Sequence, residues 1–472
     1  MICDAKRRFL LKSHKKDKPR YGIANAFGQK ISYSQLVVLG FIIVIMTGTI
    51  LLTLPCSSRS GMPTNFIEAL FTATSATCVT GLVVHDTYLY WSRFGQIVII
   101  SLIQIGGLGF MSIITMASIV LKRKIGLKER SILQESVNTS KLSGIVRMIR
   151  KIIYGTLIFE GIGSVLLCLR FIPKMGVKSG IYNSVFMAIS AFCNAGFDLN
   201  GKYGEYSSLV TFDDDVLVNV VVMMLILIGG IGFFVWDDIS VNKHRISRYQ
   251  LHTKLVLSIT LIITFGGALL FYVFEKDNQA TIADMPLGDG IVASFFSSVT
   301  PRTAGFNSVD TAQLTPASKC LSMVYMFIGG SPGSTAGGAK TTTVFVFLVF
   351  AWSSLRNTDN CNIFGRRLEN EVLKKSVAVI TINTILIISS VLCITAFQSN
   401  LSLTDITFEV LSAIDTVGMT TGVTRELNNA SKIVIILLMY CGRVGSVSFA
   451  LLFTENKKFV TVKNPTEKIN IG

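Results

Sequence analysis

The chain has 472 residues, of which 50% are hydrophobic and 15% are charged, and its formal net charge is +16. Soluble proteins carry about a quarter charged residues, so this composition argues against a water-soluble enzyme. The basic residues are spread between apolar runs, which argues against a nucleic-acid-binding protein. Nine cysteines form no CxxC pair, so we expect neither a disulfide framework nor a zinc site.

Eight apolar runs, taken in chain order, have the length of about 20 residues that a helix needs to cross a bilayer. They cover residues 36–54, 94–121, 152–172, 216–236, 255–274, 320–352, 377–397 and 433–453. Between each odd-numbered run and the next lies a shorter apolar segment, which is typical of a re-entrant or buried helix. These shorter segments cover residues 66–77, 182–193, 290–300 and 406–415.

Each short segment runs into a tripeptide that ends in glycine. The tripeptides are Val79-Thr80-Gly81, Asn194-Ala195-Gly196, Thr303-Ala304-Gly305 and Thr416-Val417-Gly418. A second glycine motif recurs in each following span, at residues 106–109, 229–232, 329–331 and 442–445. Two motifs in a fixed order, four times over, indicate an internal repeat. In the fourth copy Thr420-Thr421-Gly422 offers a competing register, although Gly418 better preserves the spacing to Gly442.

We therefore predict an all-α membrane protein with eight transmembrane helices and four re-entrant pore helices. They would form four span–pore-helix–filter–span repeats around one central pore. The repeats would cover residues 36–121, 152–236, 255–353 and 377–453. The remaining segments would be a basic N-terminus 1–35, a basic linker 122–151, loops 237–254 and 354–376, and a tail 454–472.

Lysine and arginine are concentrated in the segments outside the span pairs, whereas the segments that contain the short helices are richer in acids. By the positive-inside rule, both termini and the basic linkers should lie in the cytoplasm. The four short helices should then enter from the outer side of the plasma membrane.

Glycine-ended loops after re-entrant helices are suited to lining a pore with carbonyl oxygens, because glycine adopts left-handed φ values readily. Four such loops around one axis could replace the hydration shell of a monovalent cation. The carbonyl groups of the four tripeptides are the candidate ligands. The alternative is that the glycines only allow close helix packing.

The sixth span is interrupted by a glycine-rich stretch, residues 329–340, which cannot form a regular helix. It does not match the phosphate-loop pattern, because Ala339 separates Gly338 from Lys340. We expect a flexible loop within the membrane, below the third filter, which makes this stretch a candidate gate. The candidate gate residues are Gly329, Gly330, Gly333, Gly337, Gly338, Lys340 and Arg443.

Three charged residues lie close to this expected pathway. Arg443 is aligned with Leu108, Ile231 and Ser331 of the other repeats, and an arginine within a span is costly. It would either cap the carbonyls of a neighbouring broken helix or repel cations on the pore axis. Lys340 would either assist it or extend to the cytoplasmic interface. Asp415 would lie in the ion path or behind the filter.

These motifs resemble the superfamily of potassium transporters that includes the Trk, Ktr and plant HKT proteins. The resemblance spans residues 36–453 and rests on the four tripeptides with their flanking residues, such as Phe197-Asp198 and Phe306-Asn307. With a single span before the first filter, the chain is most similar to the KtrB branch. Glycine at position 81 resembles the potassium-selective members, since the sodium-selective plant branch carries serine there.

The resemblance implies K⁺ uptake, with or without coupling to sodium, and no organic cofactor. It implies a homodimer with one pore per subunit and a KtrA-like cytoplasmic ring of RCK subunits that binds nucleotide. Segments 122–151 and 356–375, along with the C-terminal tail, are candidate docking surfaces for that ring. Residues 131–153 would form an amphipathic interfacial helix or a plain connector.

Two further functions were weighed against potassium uptake. A sodium or ammonium pathway would use the same scaffold. A membrane enzyme would need clustered catalytic side chains, but the chain has four histidines and contains neither HExxH nor GxSxG. We therefore favour transport over catalysis.

Overall fold

The computed structural model describes residues 23–24, 30–31, 33–109, 145–356 and 361–445, and within them most of the chain is helical. Most of the predicted segments 1–35 and 122–151, the ends of the second and eighth spans, and the tail 454–472 lie outside these residues. The described α-helices are α1 Tyr33–Thr53, α2 Phe66–Cys78, α3 Arg93–Leu108, α4 Ile145–Met175, α5 Val177–Phe192, α6 Val216–Gly230, α7 Phe233–Asn242, α8 Leu251–Glu275, α9 Leu287–Val299, α10 Pro316–Ile328, α11 Thr341–Leu355, α12 Asn370–Phe397, α13 Leu403–Ile414 and α14 Asn429–Val444.

Within the described residues, four helices are long and apolar enough to cross a membrane, namely α1, α4, α8 and α12, and the bent pair α6–α7 would make a fifth if counted as one span. The four long helices correspond to the odd-numbered predicted spans. Their outward-facing apolar side chains are largely exposed, as with Ile43 at 64% and Ile262 at 70%, which is typical of contact with lipid. In α1 the hydroxyls of Thr47, Thr49 and Thr53 each donate to the carbonyl four residues earlier, at 2.8 Å. Their polar groups are therefore satisfied inside the helix, as hydrocarbon requires.

The four short predicted segments are also helices, namely α2, α5, α9 and α13. Side-chain caps fix where two of them begin: Asn65 accepts from the amide of Ile67 at 2.9 Å, and Ser402 accepts from that of Asp405 at 3.1 Å. The C-terminal ends of the short helices are buried in the protein interior. Each short helix therefore delivers the glycine tripeptide that follows it to the centre of the molecule.

The fourth and sixth predicted spans are not continuous helices. The sequence predicts one helix over residues 216–236, but α6 and α7 meet at 90°. The physical reason is local: Gly232 has φ of 99°, and the Phe233 amide donates to the Gly333 carbonyl at 2.7 Å instead of continuing the helix. The predicted span 320–352 is likewise divided into α10 and α11 by the glycine-rich stretch.

The described part of the chain also contains two short antiparallel hairpins. Strand β1 (Ile23–Ala24) pairs with β2 (Lys30–Ile31), and β3 (Asn362–Ile363) pairs with β4 (Arg366–Arg367). Phe364 and Gly365, between β3 and β4, both have positive φ, as a type I′ turn requires. The second hairpin occupies the predicted loop 354–376.

Substituting Gly180 with alanine should lower the melting temperature of the purified protein by several degrees. A Cβ at this position in α5 would lie 2.7 Å from the Ile172 Cα and 2.9 Å from the Phe171 carbonyl carbon, both backbone atoms of α4. Overpacking of this kind typically costs about 1–3 kcal/mol. Gly161→Ala is the matched control, since a Cβ there meets nothing within 4 Å. Equal melting temperatures for the two variants would contradict the prediction.

Candidate functional site

Each short helix ends in a backbone turn with the same uncommon dihedral angles. The residue two positions before the glycine has a positive φ in every copy, although it is never glycine. These angles are 58° at Val79, 59° at Asn194, 65° at Thr303 and 50° at Thr416. The glycines themselves have φ of 96°, 70°, 76° and 90°. Since left-handed residues other than glycine are uncommon, one backbone conformation is repeated four times.

Hydroxyl groups on the short helices hold these turns in place. Ser75 accepts from the amide of Gly81 at 3.1 Å, and Ser412 accepts from that of Gly418 at 3.0 Å. In the second repeat Ser190 accepts from the amide of Phe197 at 3.0 Å. In the third, the Thr300 hydroxyl donates to the Phe306 carbonyl at 2.5 Å. The sequence reasoning missed these four residues; a hydroxyl six residues before Gly81, Gly196 and Gly418 was the available signal.

The four glycines meet in a closed ring. A Cβ built on Gly81 would lie 2.6 Å from the Ala195 carbonyl oxygen. One on Gly196 would lie 2.9 Å from that of Ala304, and one on Gly305 would lie 2.5 Å from that of Val417. One on Gly418 would overlap that of Thr80, which returns to the first repeat. We call this arrangement the glycine ring; it brings all four predicted tripeptides together in chain order.

The glycine ring presents backbone carbonyl oxygens and leaves no room for a side chain. Carbonyl oxygens can replace the hydration shell of a monovalent cation. Within the described residues, no group of three or more His, Cys, Asp or Glu side chains is placed to hold a metal ion. The chemistry that this centre can support is therefore the binding of an alkali ion by neutral oxygen atoms.

The structure separates the two registers considered for the fourth turn. Gly418 belongs to the glycine ring, with its Cα in contact distance of Gly81. Gly422 also has a positive φ, of 107°, but a Cβ there would meet nothing within 4 Å. Thr420, Thr421 and Gly422 instead line a cavity next to the ring.

That cavity has a volume of about 370 Å³ and is bordered by all four ring glycines. We call it the mouth cavity. Its charged lining residues are four acids and one base, namely Asp86, Asp198, Glu205, Asp310 and Arg425. The Arg425 guanidinium lies 3.7 Å from the centre of the Tyr206 ring, which holds it against the wall. The cavity is therefore acidic overall, and acidic clefts raise the local concentration of cations.

The interruption between α10 and α11, residues 329–340, bonds to two other repeats through its backbone. We call it the span-6 loop. Towards the second repeat, Ser331 and Thr335 amides donate to Gly230 and Gly229 carbonyls at 3.1 and 3.3 Å. Towards the fourth, the Gly338 amide donates to the Gly442 carbonyl at 3.3 Å.

The predicted gate glycines lie along the span-6 loop. Gly329 ends α10 with φ of 63°, and the Gly330 carbonyl accepts from the Thr341 amide at 2.9 Å, where α11 begins. Gly333 accepts from Phe233, as described above. A Cβ on Gly337 would overlap the Thr416 side chain, and one on Gly338 would lie 2.6 Å from the Asp415 carboxylate. The loop therefore packs directly against the fourth turn of the glycine ring.

Asp415 lies behind this turn, at the end of α13, and is fully buried. Its Oδ1 accepts from the Ala339 amide of the span-6 loop at 3.0 Å. Thr335 makes a comparable contact in the second repeat, where its hydroxyl donates to the Phe192 carbonyl at 3.2 Å. The loop is thus fastened to the ends of two short helices.

Arg443 connects the span-6 loop with the first repeat. Its guanidinium donates to the Thr335 carbonyl of the loop and to the Gly106 carbonyl of α3, and lies 3.2 Å from the Gly107 carbonyl. These contacts fit the capping interpretation, because Arg443 bonds to carbonyls in the last turn of α3, where the Gly106 carbonyl also accepts from the Gly109 amide at 3.2 Å. Lys340 turns back onto its own loop, donating to the Ala336 and Gly337 carbonyls at 2.9 and 2.8 Å, rather than extending to the interface.

The structure corrects the alignment of Arg443. A Cβ on Gly106, Gly229 or Gly442 would in each case overlap a backbone carbonyl oxygen of the preceding short helix, those of Thr77, Phe192 and Ile414. Gly442 therefore matches Gly106 and Gly229. It follows that Arg443 matches Gly107 and Gly230, not Leu108, Ile231 and Ser331.

Comparisons with known proteins agree with this architecture. The family model for TrkH, described as a cation transport protein, matches residues 29–461. The chain is similar to the crystal structure of the potassium transporter TrkH from Vibrio parahaemolyticus, with a TM-score of 0.72, 16% identity, and coverage of 94% of this chain and 88% of that one. That likeness shows the fold.

Two curated relatives are closer in sequence. The chain is 41% identical to the potassium/sodium uptake protein NtpJ of Enterococcus hirae, over 94% of this chain and 98% of the relative. It is 38% identical to the Ktr system potassium uptake protein B of Bacillus subtilis, over 90% and 93%. The resemblance to Trk and Ktr proteins is thereby confirmed. The chain belongs to the TrkH family of cation transport proteins.

Proposed function

We propose that this protein mediates potassium uptake across the cell membrane, with the glycine ring as its selectivity filter. The observation that carries the proposal is the closure of the ring: four turns, each held by its own short helix, supply carbonyl oxygens to one centre. The similarity to relatives that are named for potassium uptake supports potassium as the ion that this chain would carry. The carbonyls of the tripeptides ending in Gly81, Gly196, Gly305 and Gly418 would replace the water around K⁺.

The proposed arrangement in the membrane has eight crossings and four re-entrant helices, with the short helices entering from outside. The mouth cavity then faces the exterior, where its four carboxylates attract cations. The basic loops and both termini face the cytoplasm, as their lysine and arginine content favours. The ion would pass from the mouth cavity through the glycine ring towards the span-6 loop.

The span-6 loop is the proposed gate. It bonds to the second and fourth repeats directly and to the first through Arg443, so it is fastened on all sides of the pathway below the filter. Opening would require these contacts to be released together. A nucleotide-binding KtrA-like RCK ring on the cytoplasmic side would supply that energy, and the pore-forming chain would act as a homodimer. The name of the Bacillus subtilis relative, which refers to a Ktr system, supports a partner subunit.

Sodium is the second candidate ion, because the Enterococcus hirae relative is named for both potassium and sodium. Sodium would be taken up by the same pore or would be needed for potassium uptake. An ammonium pathway remains an alternative on the same scaffold. Competition experiments distinguish these possibilities.

The test is rubidium uptake by cells that lack their own potassium uptake systems. Cells that produce the protein, with and without a KtrA-like partner, should take up rubidium and grow at low external potassium. Potassium should compete for this uptake more strongly than sodium or ammonium. Cells with the protein in their membrane but no uptake above the empty-vector level would overturn the proposal.

Uptake should decrease as the external pH falls through the titration of Asp198. Burial raises the pKa of this carboxyl to about 7, and the neighbouring Asp86 carboxylate adds to the increase. Asp198 lies in the loop beyond the second filter turn, outside the spanning helices. It is negative above this pKa and neutral below it, so acidification makes the mouth cavity less attractive to cations.

We expect uptake at subsaturating rubidium to fall by about two-fold or more between about pH 8 and about pH 6. Asp198→Asn should take up rubidium more slowly at the higher pH and should show a flatter pH profile. Asp310→Asn, which changes an exposed acid of the same cavity, should keep the wild-type profile. An unchanged profile in Asp198→Asn would contradict the prediction.

A further inference from the structure

A second cavity, of about 590 Å³, lies on the same face of the protein as the mouth cavity. It is formed by the start of α3, the end of α4, the start of α5 and the loops beside them. None of its lining residues borders the mouth cavity. We call it the lateral cavity, because it lies between the first and second repeats and away from the glycine ring.

The lateral cavity is lined by three cationic side chains, Arg59, Arg93 and Lys202, and by no carboxylate. In the described part of the chain, none of the three takes part in an ion pair. The Arg59 guanidinium lies 4.3 Å from the centre of the Tyr88 ring, and that of Arg93 lies 4.7 Å from the centre of the Tyr182 ring. Aromatic faces thus position the two arginines without neutralising them.

Polar atoms in the cavity wall are left without partners. Asn183 is only 4% exposed; its amide nitrogen donates to Asn200 Oδ1 at 3.1 Å and contacts Met175 Sδ at 3.3 Å. Its Oδ1 has no hydrogen-bond partner, and neither has the buried hydroxyl of Tyr182. Buried polar groups are nearly always paired. Both atoms have almost no exposed surface, so the groups that the cavity itself offers to a ligand are its three positive charges.

The cavity lies where the apolar surface of the helices meets the polar loops. Next to its lining residues, Phe94 and Ile97 on α3 and Val177, Ile181 and Val185 on α5 are exposed by 40 to 63%. Apolar side chains exposed on spanning or re-entrant helices face lipid. A ligand in the cavity would therefore sit at the level of lipid headgroups, within reach of the acyl-chain region.

We propose that the lateral cavity binds the headgroup of an anionic phospholipid, such as phosphatidylglycerol. Arg59, Arg93 and Lys202 would face the phosphate. The lipid belongs to the leaflet on the side of the mouth cavity. Basic residues are scarce in the segments that contain the short helices, so three of them around one cavity are notable in themselves.

The test measures lipid binding rather than transport, so its outcome is independent of the proposed potassium pathway. The purified, delipidated full-length protein is titrated with phosphatidylglycerol or with phosphatidylcholine, and bound lipid is counted by native mass spectrometry. Wild-type protein should bind phosphatidylglycerol at least ten-fold more tightly than phosphatidylcholine. Arg59→Gln combined with Arg93→Gln should weaken that binding by about ten-fold or more.

The matched control is the double variant Lys276→Gln, Lys319→Gln, which removes two charges from the same face outside the cavity lining. It should bind phosphatidylglycerol like the wild type. Equal binding of the two lipids, or an equal loss in the control, would overturn the proposal. A third titration uses inorganic phosphate. If phosphate alone displaces the lipid at millimolar concentration, and its binding depends on Arg59 and Arg93, the ligand is a free anion and the lipid assignment is wrong.

Discussion

Gly418→Ala should reduce rubidium uptake by about 10- to 100-fold while the protein still reaches the membrane in normal amounts. A Cβ on Gly418 would overlap the Thr80 carbonyl oxygen and lie 2.8 Å from the Gly81 Cα. Both are backbone atoms of the first filter turn, so the methyl group displaces a carbonyl of the glycine ring. Overpacking costs about 1–3 kcal/mol, and here that strain falls on the ligand geometry of the ion.

Gly422→Ala is the control, four residues further along the same loop. Its φ of 107° imposes a comparable backbone strain on alanine, but its Cβ would meet nothing within 4 Å. We expect this variant to keep most of the wild-type uptake. If Gly422→Ala lost uptake and Gly418→Ala kept it, the register Thr420-Thr421-Gly422 would be the filter and the proposed ring would not conduct.

Arg443→Gln should increase rubidium uptake by about ten-fold in cells that lack the partner subunit. The wild-type guanidinium joins the Thr335 carbonyl of the span-6 loop to carbonyls of α3. A hydrogen bond to a charged group contributes about 1.5–3 kcal/mol, so losing this link favours the released state of the loop by ten-fold or more. The substitution also removes a positive charge from beside the pathway.

Arg443→Lys separates the link from the charge. Lysine keeps the positive charge but lacks the planar fork that reaches two carbonyl groups at once. If the link closes the pore, both variants should conduct more than the wild type. If the charge is the barrier, only Arg443→Gln should. Unchanged uptake in both variants, at equal protein amounts, would contradict a gating role for Arg443.

Much of the architecture could be predicted because each repeat carries its signals in consecutive residues. The short helices and the glycines after them are visible in the sequence, since an apolar segment too short to cross and a left-handed turn have distinct residue preferences. The hydrogen bonds that the hydroxyls of Ser75, Ser190 and Ser412 accept from turn amides could not be predicted in the same way. They depend on the dihedral angles of the turn, which bring an amide six or seven residues away back to the helix.

The breaks in the even-numbered spans were predicted for residues 329–340 but not for residues 231–232. Gly229, Gly230 and Gly232 lie in a strongly apolar run, where glycine is compatible with a continuous, closely packed helix. The bend exists because the span-6 loop offers the Gly333 carbonyl to the Phe233 amide, which is a contact between distant segments. The alignment of Arg443 could have been made correctly from the sequence, because Gly442-Arg443-Val444-Gly445 pairs Arg443 with Gly107 of Gly106-Gly107-Leu108-Gly109 position by position. Only the third repeat needed the structure: Gly329 has a positive φ, as Gly109, Gly232 and Gly445 have, so it corresponds to the last glycine of the other motifs.

The glycine ring is built from four unlike turns of one polypeptide. In an assembly of identical subunits, one codon change would alter every quarter of such a ring at once. Here the same change alters a single quarter and leaves three intact. As the proposed filter, the ring would let ion preference change in small increments during evolution, which is consistent with valine, asparagine and threonine at equivalent positions of the four turns.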